Sequence, residues 1–141
     1  MSARPLPVIH PDNQEFWDSL RRHELSLQRC RECSEVRFPV SPVCPRCLSE
    51  EFSWEVMSGR GQLVVAVTVH RATGNPWWSE RVPFSVALVR LAEGPRIKGG
   101  IDNSLASLPP GTPLRVAFDD QEEVTLLHFR SDESGTDARP L

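Results

Sequence analysis

The chain has 141 residues, a formal net charge of −3 and four cysteines, a length that holds one ordinary domain or two small ones. Cut after Arg60, it carries eight basic and nine acidic residues before the cut and eight and ten after it. Neither half has the clustered Lys and Arg that displace counterions from nucleic acid, and no apolar run approaches the roughly 18 to 20 residues that span a bilayer.

The first residues, MSARPLPVIHPD, are broken by Pro5, Pro7 and Pro11 and contain no apolar stretch of signal-peptide length, so a cytoplasmic location is expected. HPDNQEFWDSLRRHEL then reads as a short helix, with Asp12 as its N-cap and Glu15 as the capping-box partner. Phe16 and Leu20 share one face and Trp17 flanks it. A helix this short is marginal alone, so that face packs on its own chain or on a partner subunit.

All four cysteines fall in CRECSEVRFPVSPVCPRC, as Cys30, Cys33, Cys44 and Cys47. In a reducing compartment, two C-x-x-C pairs favour a metal over disulfides. Each pair can aim two sulfurs at one ion, with the intervening residues forming a short hairpin between the two knuckles. Four thiolates satisfy tetrahedral zinc and leave no open position for substrate, so the zinc is structural. Redox iron is the rival reading, but Ser34 and Leu48 stand after the knuckles where rubredoxins carry glycine. A nucleic-acid-reading knuckle is countered by Glu32, Glu35, Glu50 and Glu51, which offset Arg29, Arg31, Arg37 and Arg46.

Gly59 and Gly61 mark a turn, after which the chain changes character. Strands are expected at 63–70 (LVVAVTVH), 84–91 (FSVALVRL), 96–102 (RIKGGID), 114–120 (LRVAFDD) and 123–130 (EVTLLHFR). Five strands at this spacing suggest a small Greek-key barrel of OB type, with a five-stranded sandwich as the rival. The chain therefore divides into a helix plus ribbon over 10–58, a barrel over 59–130 and a tail over 131–141. The tail, SDESGTDARPL, has a disordered composition.

Between the first two barrel strands lies ATGNPWWSERVPF. In an extended segment the adjacent Trp77 and Trp78 point to opposite sides, which exposes at least one unless something covers it. Loop tryptophans are favoured interface anchors, and OB folds commonly bind through this connection. Trp77, Trp78, Phe84 and Trp17 are the candidates for contact with a partner, or with the acyl chain that the resemblance described below implies. Base stacking would need a basic groove, and only Arg71 and Arg81 are near. No G-x-S-x-G, H-E-x-x-H or phosphate-binding glycine loop occurs. His70 and His128 read as structural or surface histidines, and no residue is singled out as catalytic.

The order FWDSLRRHEL, LQRC, CRECSEVRFPVSPVCPRC, SGRGQ, VPFSVALVRLAEG and PPGTPLRVAF resembles an acyl-CoA-associated family long catalogued as a domain of unknown function. The resemblance spans about residues 12–130. It implies a mainly β chain with a short N-terminal helix, a rubredoxin-like zinc ribbon and a five-stranded OB-fold barrel. It places zinc on Cys30, Cys33, Cys44 and Cys47. It also implies a non-catalytic subunit of a thiolase-superfamily complex acting on acyl-CoA thioesters, with two copies of each chain and a possible contact to acyl-CoA. The branch expected is the one supporting a lipid-transfer-protein-type retro-aldolase in steroid side-chain degradation. The alternatives are a thiolase, hydroxymethylglutaryl-CoA synthase or MaoC-type hydratase partner, or a single-stranded nucleic-acid-binding OB module.

Overall fold

The computed structural model describes residues 4–132; the expectation for 133–141 lies outside the described residues. Helix α1 covers Gln14–Arg21. Its N-cap is Asn13 rather than Asp12, and no side chain caps it. The Asn13 carboxamide oxygen instead accepts from the His10 amide at 2.7 Å, and Glu15 pairs with Arg22 at 2.7 Å, so no capping box forms. Phe16 and Leu20 are buried, as their spacing requires.

A three-stranded sheet follows, in the order β2–β1–β3: β1 is Ser26–Cys30, β2 Val36–Arg37 and β3 Phe52–Val56. Neither β1 nor β3 was anticipated from the sequence: SLQRC mixes polar and apolar residues without clean alternation, whereas FSWEV alternates strictly and carries a strand signal that its position beside the cysteine segment masked. Burial decides the matter: Leu27 and Gln28 are both buried, and Gln28 accepts the Ser41 amide at 2.9 Å through its side-chain oxygen. The hairpin also differs from expectation. It runs from β1 to β2 across the first knuckle, pairing Gln28 with Arg37, instead of filling the space between the knuckles.

Five strands then close a barrel in the order β4–β5–β6–β8–β7: β4 Arg60–Val69, β5 Phe84–Leu91, β6 Arg96–Ile101, β7 Pro113–Asp120 and β8 Thr125–Ser131. All pairings are antiparallel except β6 with β8, where Gly100 meets His128 and Ile101 meets Phe129. The barrel is of OB type, and the sandwich alternative is set aside by its closure. Ser131, assigned from sequence to the tail, is the last residue of β8. Among the described residues no helix is long and apolar enough to cross a membrane.

Gly61 is not a turn residue but lies inside β4, where the backbone of β5 comes close. A Cβ there would sit 2.5 Å from the Arg90 carbonyl oxygen and 2.7 Å from a Val89 methyl. Gly61→Ala is expected to cost about 2–3 kcal/mol of stability by overpacking, measured by denaturant unfolding. Gly59 is the actual turn, with φ of +80°.

One apolar core runs through helix, ribbon and barrel. Phe16, Leu20, Leu25, Leu27 and Val36 belong to the same buried cluster as Leu63, Val89, Ile97, Leu114 and Phe129. Polar contacts reinforce the seam: Arg21 donates to the carbonyls of Gln121 and Glu122, and the His23 imidazole lies 2.9 Å from Asp120. The Thr125 hydroxyl, then His23, hold the Asp120 carboxyl below its ordinary pKa.

Candidate metal centre and barrel-end cavity

The two knuckles are built alike. The amides of Ser34 and Leu48 donate to the carbonyls of Cys30 and Cys44 at 3.0 and 2.9 Å, and the amides of Cys30 and Cys44 donate to Glu35 and Ser49 at 2.8 and 2.9 Å. Ser34 and Leu48 adopt the left-handed region, with φ of 67° and 68°. That backbone conformation is a physical reason for glycine at such positions. Leu48 is 75% exposed and gains little packing in return. Leu48→Gly is therefore expected to raise stability by about 0.5–1 kcal/mol, relief of left-handed strain exceeding the extra freedom of an unfolded glycine. Thermal unfolding of the zinc-loaded protein measures it.

This folding brings all four sulfurs within 4.8 Å of one another, with Cys30 and Cys47 at 3.5 Å and Cys33 and Cys44 at 3.6 Å. Zinc–sulfur bonds of about 2.3 Å in a tetrahedron place sulfurs about 3.8 Å apart, so the set fits zinc. The Cys33 amide, with that of Glu32, draws the Cys30 thiol down to about 6 against the opposing effect of burial. The amides of Cys47 and Arg46 likewise lower Cys44. Cys47 receives the Ser49 amide, yet hydrogen bonding with Cys30, together with burial and the other two thiols, pushes it up to about 12. Cys33 is raised too, the Glu35 amide being outweighed by burial and the neighbouring thiols. Backbone amides and hydrogen bonds among the four sulfurs thus favour proton loss at Cys30 and Cys44, while burial and those same hydrogen bonds favour the proton at Cys33 and Cys47. The centre is a structural zinc ribbon: its donor set is complete, and zinc supplies folding energy there.

The loop tryptophans behave differently from the sequence expectation. Pro76–Ser79 forms a short helical turn, α2, and Asn75 caps it by accepting the Trp77 amide at 2.8 Å. Asn followed by Pro is a helix-start signal, and here it overrides the extended reading. The two indoles therefore do not point to opposite sides; they meet edge to face, with centroids 4.8 Å apart. Trp78 in turn lies 4.9 Å from Phe84.

These three aromatic rings line a cavity of about 400 Å³ at the end of the barrel, together with His128. Two guanidinium groups lie over Trp77: Arg81 at 3.7 Å from the ring centroid and Arg4 at 4.7 Å. Arg4 also donates to Asp119 at 3.1 Å. Arg4 carried no signal in the sequence, because its partners are far along the chain. Trp17 is not part of this group. It packs edge to face on Phe16 at 4.9 Å and lines a separate cavity of about 280 Å³ with Phe38 and Leu127.

Residues 17–53 match the family model described as "ChsH2, rubredoxin-like zinc ribbon domain", and residues 54–119 match "ChsH2, C-terminal OB-fold domain". The chain is 35% identical over 130 residues to the 3-oxo-4,17-pregnadiene-20-carboxyl-CoA hydratase alpha subunit of Mycobacterium tuberculosis, covering 90% of this chain and 40% of that protein. It thus spans well under two thirds of that relative's length. It is 28% identical over 130 residues to the benzoylsuccinyl-CoA thiolase subunit BbsA of Thauera aromatica, covering 92% of this chain and 82% of that one. Among solved structures, the Ltp2-ChsH2(DUF35) aldolase contains a chain that superposes with a TM-score of 0.78 at 28% identity, covering 89% of this chain and 98% of that chain.

Proposed function

The chain belongs to the ChsH2 family of zinc-ribbon and OB-fold proteins, and from that membership we propose that it is a non-catalytic subunit of a thiolase-superfamily complex acting on acyl-CoA thioesters. In this reading it supports a lipid-transfer-protein-type retro-aldolase in steroid side-chain degradation, as two copies of each chain in the cytoplasm. The observation that carries the reading is the nearly complete mutual coverage with the chain of the Ltp2-ChsH2(DUF35) aldolase. The match to the hydratase alpha subunit, by contrast, takes in 40% of that protein. The chemistry of the site agrees with a supporting role. All four thiols are gathered in a closed donor set, and Asp119 in the barrel-end cavity is engaged by Arg4. Zinc would hold the ribbon rigid, and Trp77, Trp78 and Phe84 would meet the partner or the acyl chain near its substrate entrance.

The test is co-expression with a thiolase-superfamily aldolase, followed by mass measurement of the complex and assay of retro-aldol cleavage of a steroid acyl-CoA. A complex of two plus two chains, with cleavage that depends on this chain, is the expected result. Separate elution with unchanged cleavage overturns it. The similarity to a thiolase subunit over 82% of that subunit's length favours a second reading, in which the partner is a thiolase. Assembly with a thiolase and not with the aldolase selects that reading, whereas assembly only with a hydroxymethylglutaryl-CoA synthase or a MaoC-type hydratase overturns both and names the remaining partner class.

A further inference from the structure

Strands β4 and β5 are apolar on both faces, and only one face is used by the core. The register of β4 against β5 shifts between Leu63 and Val65, where a bulge reverses the inside–outside order. Leu63 is buried and Ala66 packs against the core, whereas Val65 and Val67 turn outward and are 50% and 56% exposed. On β5 the buried residues are Ser85, Ala87, Val89 and Leu91, so Phe84, Val86 and Leu88 face outward. The register sets Val65 beside Leu88, Val67 beside Val86 and Val69 beside Phe84. Six apolar side chains thus form one continuous outer patch, and none belongs to the core cluster. Contiguous exposure of this kind marks a contact surface, unlike scattered single residues.

Two further features say what covers it. First, β4 pairs with β7 only over Arg60–Gln62, so from Val64 to Val69 its second edge meets no strand among the described residues. That edge, VVAVTV, carries no charge and no proline, the usual protections of an open edge. Its backbone groups are best met by the backbone of another protein, which a lipid or nucleic acid does not offer. Second, charge is segregated within the barrel. Residues 60–101 carry six basic and two acidic side chains, whereas 102–132 carry two basic and six acidic. Arg90 pairs with Arg96, and Lys98 with Leu88, which puts three cations along one border of the patch. Phe84 and Val86 also line the barrel-end cavity, so patch and cavity are continuous.

We infer that this outer face of β4 and β5 is where the partner subunit docks, and that the partner presents an apolar patch with an acidic rim and an extended segment along the free edge of β4. The inference rests on the heteromeric reading above and adds the surface and its electrostatic sense. Nucleic acid is disfavoured because the centre of the patch is aliphatic, and base stacking needs rings.

The test uses the co-expressed complex with two variants, Val67→Asp and the double variant Arg96→Glu/Lys98→Glu. Val67→Asp is expected to weaken binding by about tenfold or more. The double variant is expected to weaken it by about three- to tenfold and to flatten its salt dependence, since rim charges act mainly on association. Both should keep stoichiometric zinc. Should Val67→Asp misfold, the double variant at exposed positions decides alone. Wild-type binding that neither variant alters overturns this surface while leaving the proposed function standing. Absence of binding by the wild type to any thiolase-superfamily partner overturns both. An oligonucleotide or anionic vesicle whose binding these variants abolish, with the protein complex intact, overturns the choice of occupant.

Discussion

Cys44→Ser is expected to abolish stoichiometric zinc binding and, with it, cooperative folding of the whole chain rather than of the ribbon alone. Cys44 is fully buried and receives the amides of Cys47 and Arg46. A serine hydroxyl there cannot replace a thiolate ligand. Structural zinc in such modules contributes on the order of 10–16 kcal/mol at neutral pH, which matches or exceeds the about 5–15 kcal/mol that separates a typical domain from its unfolded state. The loss spreads because Leu25, Leu27 and Val36 of the ribbon lie in one cluster with Leu63, Leu114 and Phe129 of the barrel. A melted ribbon therefore uncovers the barrel. Metal analysis and a thermal melt followed by circular dichroism measure the effect, and removal of zinc by a chelator should reproduce it. A variant that keeps its zinc and melts with the wild type would falsify the prediction.

Phe129→Ala is expected to cost about 3–5 kcal/mol. Phe129 is 1% exposed and sits on β8 at the seam of the barrel, opposite Ile101 on one side and Val116 on the other. Its ring occupies the space a side chain on Gly99 would need, with Cε2 2.9 Å from that position. Removing the ring leaves a void bordered by strands that cannot close in, because β6 and β8 are held in parallel register. Denaturant unfolding should show a lower midpoint with an unchanged slope. A loss below about 1 kcal/mol would mean that the seam relaxes around the void. Phe84→Ala makes the contrast, because Phe84 lies outside the core cluster and is half-buried on the outer face. Its removal should change stability little while weakening partner binding.

The cysteine spacing determined the metal centre, because two C-x-x-C knuckles leave four sulfurs little choice but to converge. The five barrel strands were legible for a similar reason: runs such as FSVALVRL and LRVAFDD have a β pattern strong enough to survive without context. The strand at 26–30 was not legible, since SLQRC has no period-2 pattern and Gln28 is buried only through its tertiary contacts, whereas FSWEV at 52–56 alternates strictly and its signal was present. Asp12 looked like a helix cap by residue type, but the carboxamide of Asn13 turned back to His10 and the helix began one residue later. At Asn75–Pro76 the signal was present and the extended reading passed over it.

By itself, the sequence determined the zinc ligands, the five barrel strands and the family, which follow from local spacing and pattern; closure into a barrel rather than a sandwich came from the structure. Only the tertiary structure decided which faces those strands turn outward. A single bulge after Leu63 places Val65 and Val67 outside, and no residue type announces it. It also decided that the basic residues of β5 and β6 border an apolar patch, a segregation hidden when charges are counted on either side of Arg60. Both depend on register, which is set by pairing between distant residues and so is not written in any one stretch of chain.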